Sequence, residues 1–293
     1  MIQDKVKAFA ADFEKKIDTL FCDGNTEYSL VFDAMKYSLA DGGKRLRPFL
    51  IEQFYRLSGG EGESSVNFGL AMECIHTYSL IHDDLPCMDN DDMRRGKPSC
   101  HKKFGEEYAL LAGDGLLTLA FNIASKTKGL PAERILRAIE ILSYNAGIDG
   151  MVGGQTVDLL SEGKTDVDTE LLTLICSLKT GALIKASCLI GTVLAGADEK
   201  KQNAATEYAA NLGLAFQIVD DILDVTGDEA KLGKPINSDK ENEKATFVSL
   251  LGIDACKKKV LELTEKAKSA LDIFGEDAKE LKDLADYLCI RDY

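Results

Sequence analysis

The sequence predicts an all-α protein, and three observations carry that expectation. Apolar residues recur at helical spacing through most of the chain, period-2 alternation is scarce, and the 293 residues include five prolines and no tryptophan. The first predicted helix, 3–21, carries the stripe Val6, Phe9, Phe13, Ile17 and Leu20. Helices at 27–40, 45–57 and 65–84 follow, with Pro48 near the start of the second of these. Next come 105–127 and 131–146, the latter opened by Pro131 and striped by Ile135, Ile139 and Leu142. The remaining helices are expected at 149–162, 168–196, 200–226, 243–270 and 276–290, the last striped by Leu281, Leu284 and Leu288. Connections are short except at 86–104 and 227–242, which are rich in Asp, Gly, Lys and Pro, and irregular stretches of that length commonly carry function. Two segments, LLAGDGLLTLAFNIA at 110–124 and TGALIKASCLIGTVLAGA at 180–197, are apolar on most faces and rich in small residues. They belong at the centre of a bundle, either as plain core or as walls of an apolar cavity. No repeat or linker interrupts the pattern, so a single domain over 1–293 is expected.

Composition narrows the functional classes. Hydrophobic residues at 45% and charged residues at 29% exclude a disordered or collagen-like chain. A net charge of −14 makes a poor general binder of nucleic acid or anionic membrane, so an anionic substrate would need a local basic patch or metal ions. Eight cysteines without a CxxC pair read as reduced thiols rather than zinc ligands. The charged amphipathic start MIQDKVKAFAADFEKK has no apolar leader core, and no run reaches ~18 uninterrupted apolar residues, so no integral membrane segment and a cytoplasmic location are expected.

Three clusters carry chemistry. In SLIHDDLPCMDNDDMRRGKPS, 79–99, Asp83 and Asp84 close an apolar helix that Pro86 should end, and Asp89 follows in the loop. Like charges that close need a cation or water to stay ionised, and oxygen-only donors suit Mg2+ or Ca2+. Arg94 and Arg95 follow at once, a guanidinium pair suited to phosphate. In FQIVDDILD, 216–224, Asp220 and Asp224 stand at i and i+4 with Gln217 on the same side, among apolar neighbours where acids are costly without partners. Either cluster alone could be a solvated face. Two of them in one helical chain favour a polynuclear metal site across a bundle. In GGKRLRP, 42–48, two glycines precede Lys44, Arg45 and Arg47, a flexible backbone beside three cations. His76 shares a helix face with Asp83, and Lys179, Thr180 and Lys234 sit beside glycines.

Taken together, DDLPCMD with RRGKP, GGKRLRP, GGQTVD at 153–158, LKTGAL at 178–183, FQIVDDILD and LGKP at 232–235 resemble the trans-isoprenyl diphosphate synthases in order and spacing, from about residue 28 to the C-terminus. The resemblance implies an antiparallel helical bundle around a deep apolar cavity, the isoprenoid synthase fold, as a homodimer. It implies condensation of isopentenyl diphosphate with dimethylallyl or geranyl diphosphate and release of diphosphate. About three Mg2+ ions, with Mn2+ as a substitute, would be held by Asp83, Asp84 and Asp89 and by Asp220, Asp221 and Asp224. Arg94, Lys179 and Lys234 match positions that hold the allylic diphosphate, and Lys44, Arg47, His76 and Arg95 those for isopentenyl diphosphate. Thr180 and Gln217 match positions aimed at the allylic cation, which gives a catalytic set of Asp83, Asp84, Asp89, Lys179, Thr180, Gln217 and Asp220. Gln155 and Asp158 are expected to organise helices rather than react. The departing diphosphate would take the final proton.

Product length depends on cavity depth. Tyr78 lies five residues before Asp83, about 7 Å back along the axis. In the family an aromatic there, followed by a small residue such as Ser79, goes with the fifteen-carbon farnesyl product; a twenty-carbon geranylgeranyl product is the alternative. Other readings fit less well. An HD-type phosphohydrolase, prompted by His82 beside Asp83, needs more histidines than His76, His82 and His101. A non-enzymatic metal-binding helical protein of the calcium-loop kind fails because Met93 and Arg94 stand where a ligand and a glycine are required. Terpene cyclases lack the isopentenyl pocket that Lys44, Arg47 and Arg95 imply.

Overall fold

The computed structural model describes residues 1–21, 27–164, 166–226 and 245–289. The described chain is helical, as predicted, and divides into two compact units: residues 3–52 with 62–139, and residues 53–61 with 140–293. The division falls inside two helices.

In the first unit, α1 (Ile2–Asp18) buries Val6, Phe13 and Ile17 from the predicted stripe. Helices α2 (Ser29–Leu39), α3 (Leu46–Leu57) and α4 (Val66–Asp83) follow. Helix α4 is buried along nearly its whole length, from Phe68 to Ile81, which explains its continuous apolar run. The loop after α4 holds a two-residue antiparallel ladder, Met93–Arg94 (β1) with Lys97–Pro98 (β2), and then the short helix α5 (Cys100–Phe104). Neither was expected: two-residue strands give too few alternations to register as period 2. Helix α6 (Glu106–Ser125) packs on α4, and its small residues are the reason. A methyl group on Gly113 would come within 2.0 Å of the His82 ring, so glycine makes the notch that seats His82. Helix α7 (Ala132–Ala146) ends the unit's share of the fold.

The second unit holds α8 (Met151–Ser161), α9 (Thr169–Cys176), α10 (Ala182–Ala195) and α11 (Glu199–Thr226). Helices α12 (Phe247–Leu251), α13 (Ile253–Ala270) and α14 (Lys279–Cys289) complete it. The helix expected over 168–196 is interrupted between α9 and α10 by a π-helical turn, Ser177–Gly181. The one expected over 243–270 is split at Gly252, whose φ of 80° lies where a side chain is disfavoured. Phe54, Tyr208 and Phe274 form an aromatic centre in which the buried Tyr208 hydroxyl donates to the Leu281 carbonyl at 2.9 Å. Around the far half of α11, Ile218, Val219, Ile222 and Leu223 pack with Phe247, Cys256 and Val260.

Two helical stretches, Glu106–Ser125 and Thr169–Ala195, are long and apolar enough to cross a membrane, although neither is an uninterrupted apolar run. The first sets Ala109, Ala112, Gly113, Leu116 and Ala120 in the core of its unit, and the second is broken by the π-helical turn that carries Lys179.

Candidate active site

At the end of α4 the chain reverses tightly. Leu85 N–H donates to His82 O at 3.2 Å, Met88 N–H to Leu85 O at 2.9 Å, and Asp89 N–H to the Asp83 carbonyl at 2.8 Å. The backbone bond from Asp89 to Asp83 ties the loop carboxylate to the helix end that carries Asp83 and Asp84. Asp84 is 2% exposed, Asp83 half-buried and Asp89 exposed. Burial pushes the Asp84 carboxyl up, and Arg94 opposes this with a bidentate contact from Nε and Nη2; Asp91 also lies 3.5 Å from Arg94.

Beside this acidic mouth lies a basic basin. Arg47 Nη1 donates to His76 Nε2 at 3.4 Å, and the Arg47 Nε is buried without a hydrogen bond. Burial, then the facing Arg95, pulls the Arg47 guanidinium below its ordinary value, and burial with Arg45 nearby does the same to Arg95. His76 falls well below the usual imidazole value, through burial and then Arg47 and Arg95, so the ring is neutral at pH 7. Positive charge that its surroundings disfavour is charge that an incoming anion stabilises. Lys44 is exposed. Arg45 corrects the reading of GGKRLRP as three phosphate-facing cations. It is 3% exposed and turned inward, with Nε 2.7 Å from Glu14, Nη1 2.5 Å from Glu73 and Nη2 2.6 Å from the Leu39 carbonyl.

In the second unit, the π-helical turn brings out Lys179 and Thr180. Lys179 Nζ is held by Asp158 at 2.6 Å. The turn lies so close to α8 that a methyl group on Gly154 would sit 2.3 Å from the Lys179 backbone nitrogen. The GGQTVD segment therefore organises the turn, as expected of Asp158: Gly154 admits its backbone and Asp158 takes its ammonium. Thr180 Oγ1 donates to Gln217 Oε1 at 3.3 Å, and Gln217 Nε2 donates to Asp221 at 3.4 Å. The other Asp221 oxygen accepts the Phe247 N–H at 2.8 Å, which anchors the start of α12. Asp221 and Asp224 are 7% and 3% exposed, and Asp220 is half-buried. Lys234 and the LGKP segment lie outside the described residues.

The donor chemistry fits Mg2+. The carboxylates supply oxygen alone, and among the described residues no group of three or more His, Cys, Asp or Glu side chains is placed to hold a metal ion by itself. Mg2+ ordinarily keeps waters and takes one or two carboxylates together with substrate phosphates, so open clusters beside a basic basin are the appropriate form. The histidines are engaged elsewhere: His76 with Arg47, His82 with the Leu110 carbonyl at 3.1 Å and His101 with Ser99 at 3.1 Å.

Comparison with known proteins fixes the family. The polyprenyl synthetase family matches residues 29–288. The chain belongs to the polyprenyl synthetase family. It is a trans-prenyltransferase with the isoprenoid synthase fold. The chain is 47% identical over 264 residues to the geranylgeranyl diphosphate synthase of Cyanophora paradoxa, covering 90% of this chain and 88% of that protein. It is 46% identical over 262 residues to the farnesyl diphosphate synthase of Geobacillus stearothermophilus, covering 89% and 88%. Among solved structures, the geranyltransferase of Helicobacter pylori, complexed with magnesium and isoprenyl diphosphate, superposes with a TM-score of 0.85 at 34% identity, over 98% of this chain and 96% of that one.

Of the residues singled out in the sequence of this polyprenyl synthetase, Arg47, His76, Asp83, Asp84, Asp89, Arg94 and Arg95 gather in the first unit, which also carries the exposed Lys44. In the second, Lys179 pairs with Asp158, and Thr180, Gln217 and Asp221 form a hydrogen-bonded chain. Sequence reasoning missed Glu14 and Glu73, the partners of Arg45. An acid inside the apolar run AMECI was the signal, because a buried carboxylate requires a cation.

Proposed function

We propose that this polyprenyl synthetase condenses isopentenyl diphosphate with dimethylallyl or geranyl diphosphate, with farnesyl diphosphate as the main product. One observation carries the reading: the carboxylates at the end of α4 adjoin the basin of Arg47, His76 and Arg95, so metal-bridged and directly paired diphosphates have neighbouring sites in one unit. Asp83, Asp84 and Asp89, with Asp220, Asp221 and Asp224, would hold about three Mg2+ ions, with Mn2+ as a substitute. Held there, Mg2+ would supply positive charge to the leaving diphosphate. Asp221 also orients Gln217 and the start of α12. Arg94, Lys179 and Lys234 hold the allylic diphosphate, so Arg94 exchanges Asp84 for phosphate when substrate arrives. Lys44, Arg47, His76 and Arg95 hold isopentenyl diphosphate. The hydroxyl of Thr180 and the amide of Gln217, already hydrogen-bonded to each other, direct their dipoles at the developing allylic cation. No side chain is assigned as the terminal base; the released diphosphate takes the proton. We read 1–293 as one polyprenyl synthase domain, acting in the cytoplasm as a homodimer; the family match across both units supports the first.

Product length rests on Tyr78, which is 7% exposed on α4 with its ring 5.7 Å from that of His82. Relatives of near-equal identity bear both the farnesyl and the geranylgeranyl name, so geranylgeranyl diphosphate is the second reading. The purified protein, given isopentenyl diphosphate, geranyl diphosphate and Mg2+, is expected to release mainly fifteen-carbon product by mass spectrometry. A twenty-carbon product keeps the mechanism and removes the floor, and no prenyl product from folded, metal-supplied protein overturns the activity. Tyr78→Ala is expected to lengthen the product by at least one five-carbon unit; an unchanged product moves the floor elsewhere.

A further inference from the structure

The basin proposed for isopentenyl diphosphate takes Arg47 from α3, His76 from α4 and Arg95 from the β1–β2 turn, and several contacts tie that turn to the loop before α3. The β1–β2 turn carries Arg94 and Arg95, and its last strand carries Lys97 and Pro98. Residues 41–43 precede α3 and its Arg47. Arg95 Nη1 donates to the Gly42 carbonyl, and its guanidinium lies flat against Gly43, where a methyl group would meet Nη1 at 3.0 Å and Cζ at 3.1 Å. Gly43 has φ +120°, so a side chain is refused there on conformation as well as on space. Lys97 Nζ lies 2.6 Å from Asp41 Oδ1, and Asp41 is 8% exposed on its side chain against 55% for Lys97. Tyr37 closes the far end: its hydroxyl donates to the Pro98 carbonyl at 2.8 Å, and Lys103 Nζ sits 3.7 Å over its ring. Asp41, Arg95 and Asp84 border one cavity of about 30 Å3.

We propose that Asp41 and Lys97 are positioning residues: their ion pair latches the β1–β2 turn onto the loop before α3 and fixes Arg95 at the distance from Arg47 that isopentenyl diphosphate requires. The physical need for a latch is plain. Arg95 and Arg47 repel each other, and burial with facing cations already pulls both guanidinium groups below their ordinary values. Without an oppositely charged tie the turn would relax away from the loop. Arg95 reaches the loop through a carbonyl, a partner without formal charge; Asp41–Lys97 supplies an opposite-charge pair between the two segments. This inference rests on the reading of the basin given above.

Steady-state kinetics with each substrate varied in turn tests it, because the latch and simple long-range charge make opposite predictions for one variant. Asp41→Asn removes negative charge near an anion site and Lys97→Met removes positive charge. Acting through space, the first would lower the KM for isopentenyl diphosphate and the second raise it. Through the latch, both raise it, by about three- to tenfold, with kcat and the allylic KM within about twofold. The double variant is then no worse than either single one, and Lys97→Arg retains parental kinetics. Opposite shifts in the two variants, no shift in either, or a joint fall in kcat and both affinities with a lowered thermal midpoint each overturn the latch. Arg95→Ala separates the two layers. If it leaves isopentenyl diphosphate binding intact, the reading of the basin fails and takes the latch with it. If it weakens binding while Asp41 and Lys97 variants do not, the latch alone fails.

Discussion

Asp83→Ala and Asp220→Ala each lower kcat by roughly three to four orders of magnitude while the far-ultraviolet circular dichroism and thermal midpoint stay at parental values. The size follows from the chemistry: a bound metal ion contributes several kcal/mol of charge stabilisation at a leaving oxygen, and each ~1.4 kcal/mol is a factor of ten. The choice of residues follows from the geometry. Asp83 and Asp220 are half-buried, so truncation opens no sealed core. Asp84 and Asp221 would be poorer tests because both are buried, Asp84 against Arg94 and Asp221 against Gln217 and the α12 backbone, so truncation would also disturb packing. Raising Mg2+ should leave kcat of the Asp83→Ala protein low. A variant that keeps more than about a tenth of parental turnover would show that the carboxylate holds no metal.

Arg45→Ala carries the largest expected loss of stability, on the order of 3–5 kcal/mol, because it strands Glu73 as an unpaired buried carboxylate. Glu73 and Arg45 are each 3% exposed, and Glu14 and the Leu39 carbonyl complete the cation's partners. In a chain this long each kcal/mol shifts the midpoint by a little under about 2 °C, so calorimetry should record a fall of about 5–8 °C. Replacing both partners, Arg45→Met with Glu73→Leu, is expected to cost less than Arg45→Ala alone, since no charge is then left buried. A double variant less stable than the single one would mean that the pair contributes net attraction beyond its desolvation.

The helices were legible because their signal is local. The apolar stripe of α1 and the proline at the head of α7 say where a helix lies and which face it buries without reference to anything distant. The site was legible as residue types and spacing, since DD followed by D at five residues, and D at i and i+4, are chemically specific. What escaped was pairing across long sequence separations. Nothing near Arg45 announces that Glu14 and Glu73 will claim it while Arg47, two residues on, stays in the basin. The π-helical turn escaped for a related reason: Ser177–Gly181 reads as ordinary helix, and its widening is accommodated against Gly154, more than twenty residues earlier. The strand pair β1–β2 escaped because it is too short to display a period.

Among the described residues, the non-glycine positions with positive φ are Arg45, Asn90 and Arg95, at 46°, 53° and 51°. All three fall in the loops that shape the acidic mouth and the basic basin. Asparagine tolerates that region, whereas each arginine sits there at a cost of on the order of 1–2 kcal/mol. Selection for heat resistance would find glycine attractive at these places, yet glycine at 45 abandons Glu73 and glycine at 95 empties the basin. Asn90 is the position where glycine would keep every cation, with a smaller gain because asparagine already tolerates the region. A thermostable descendant of this enzyme is therefore expected to change at 90 and to retain both strained arginines, carrying their tension as a permanent feature of its lineage.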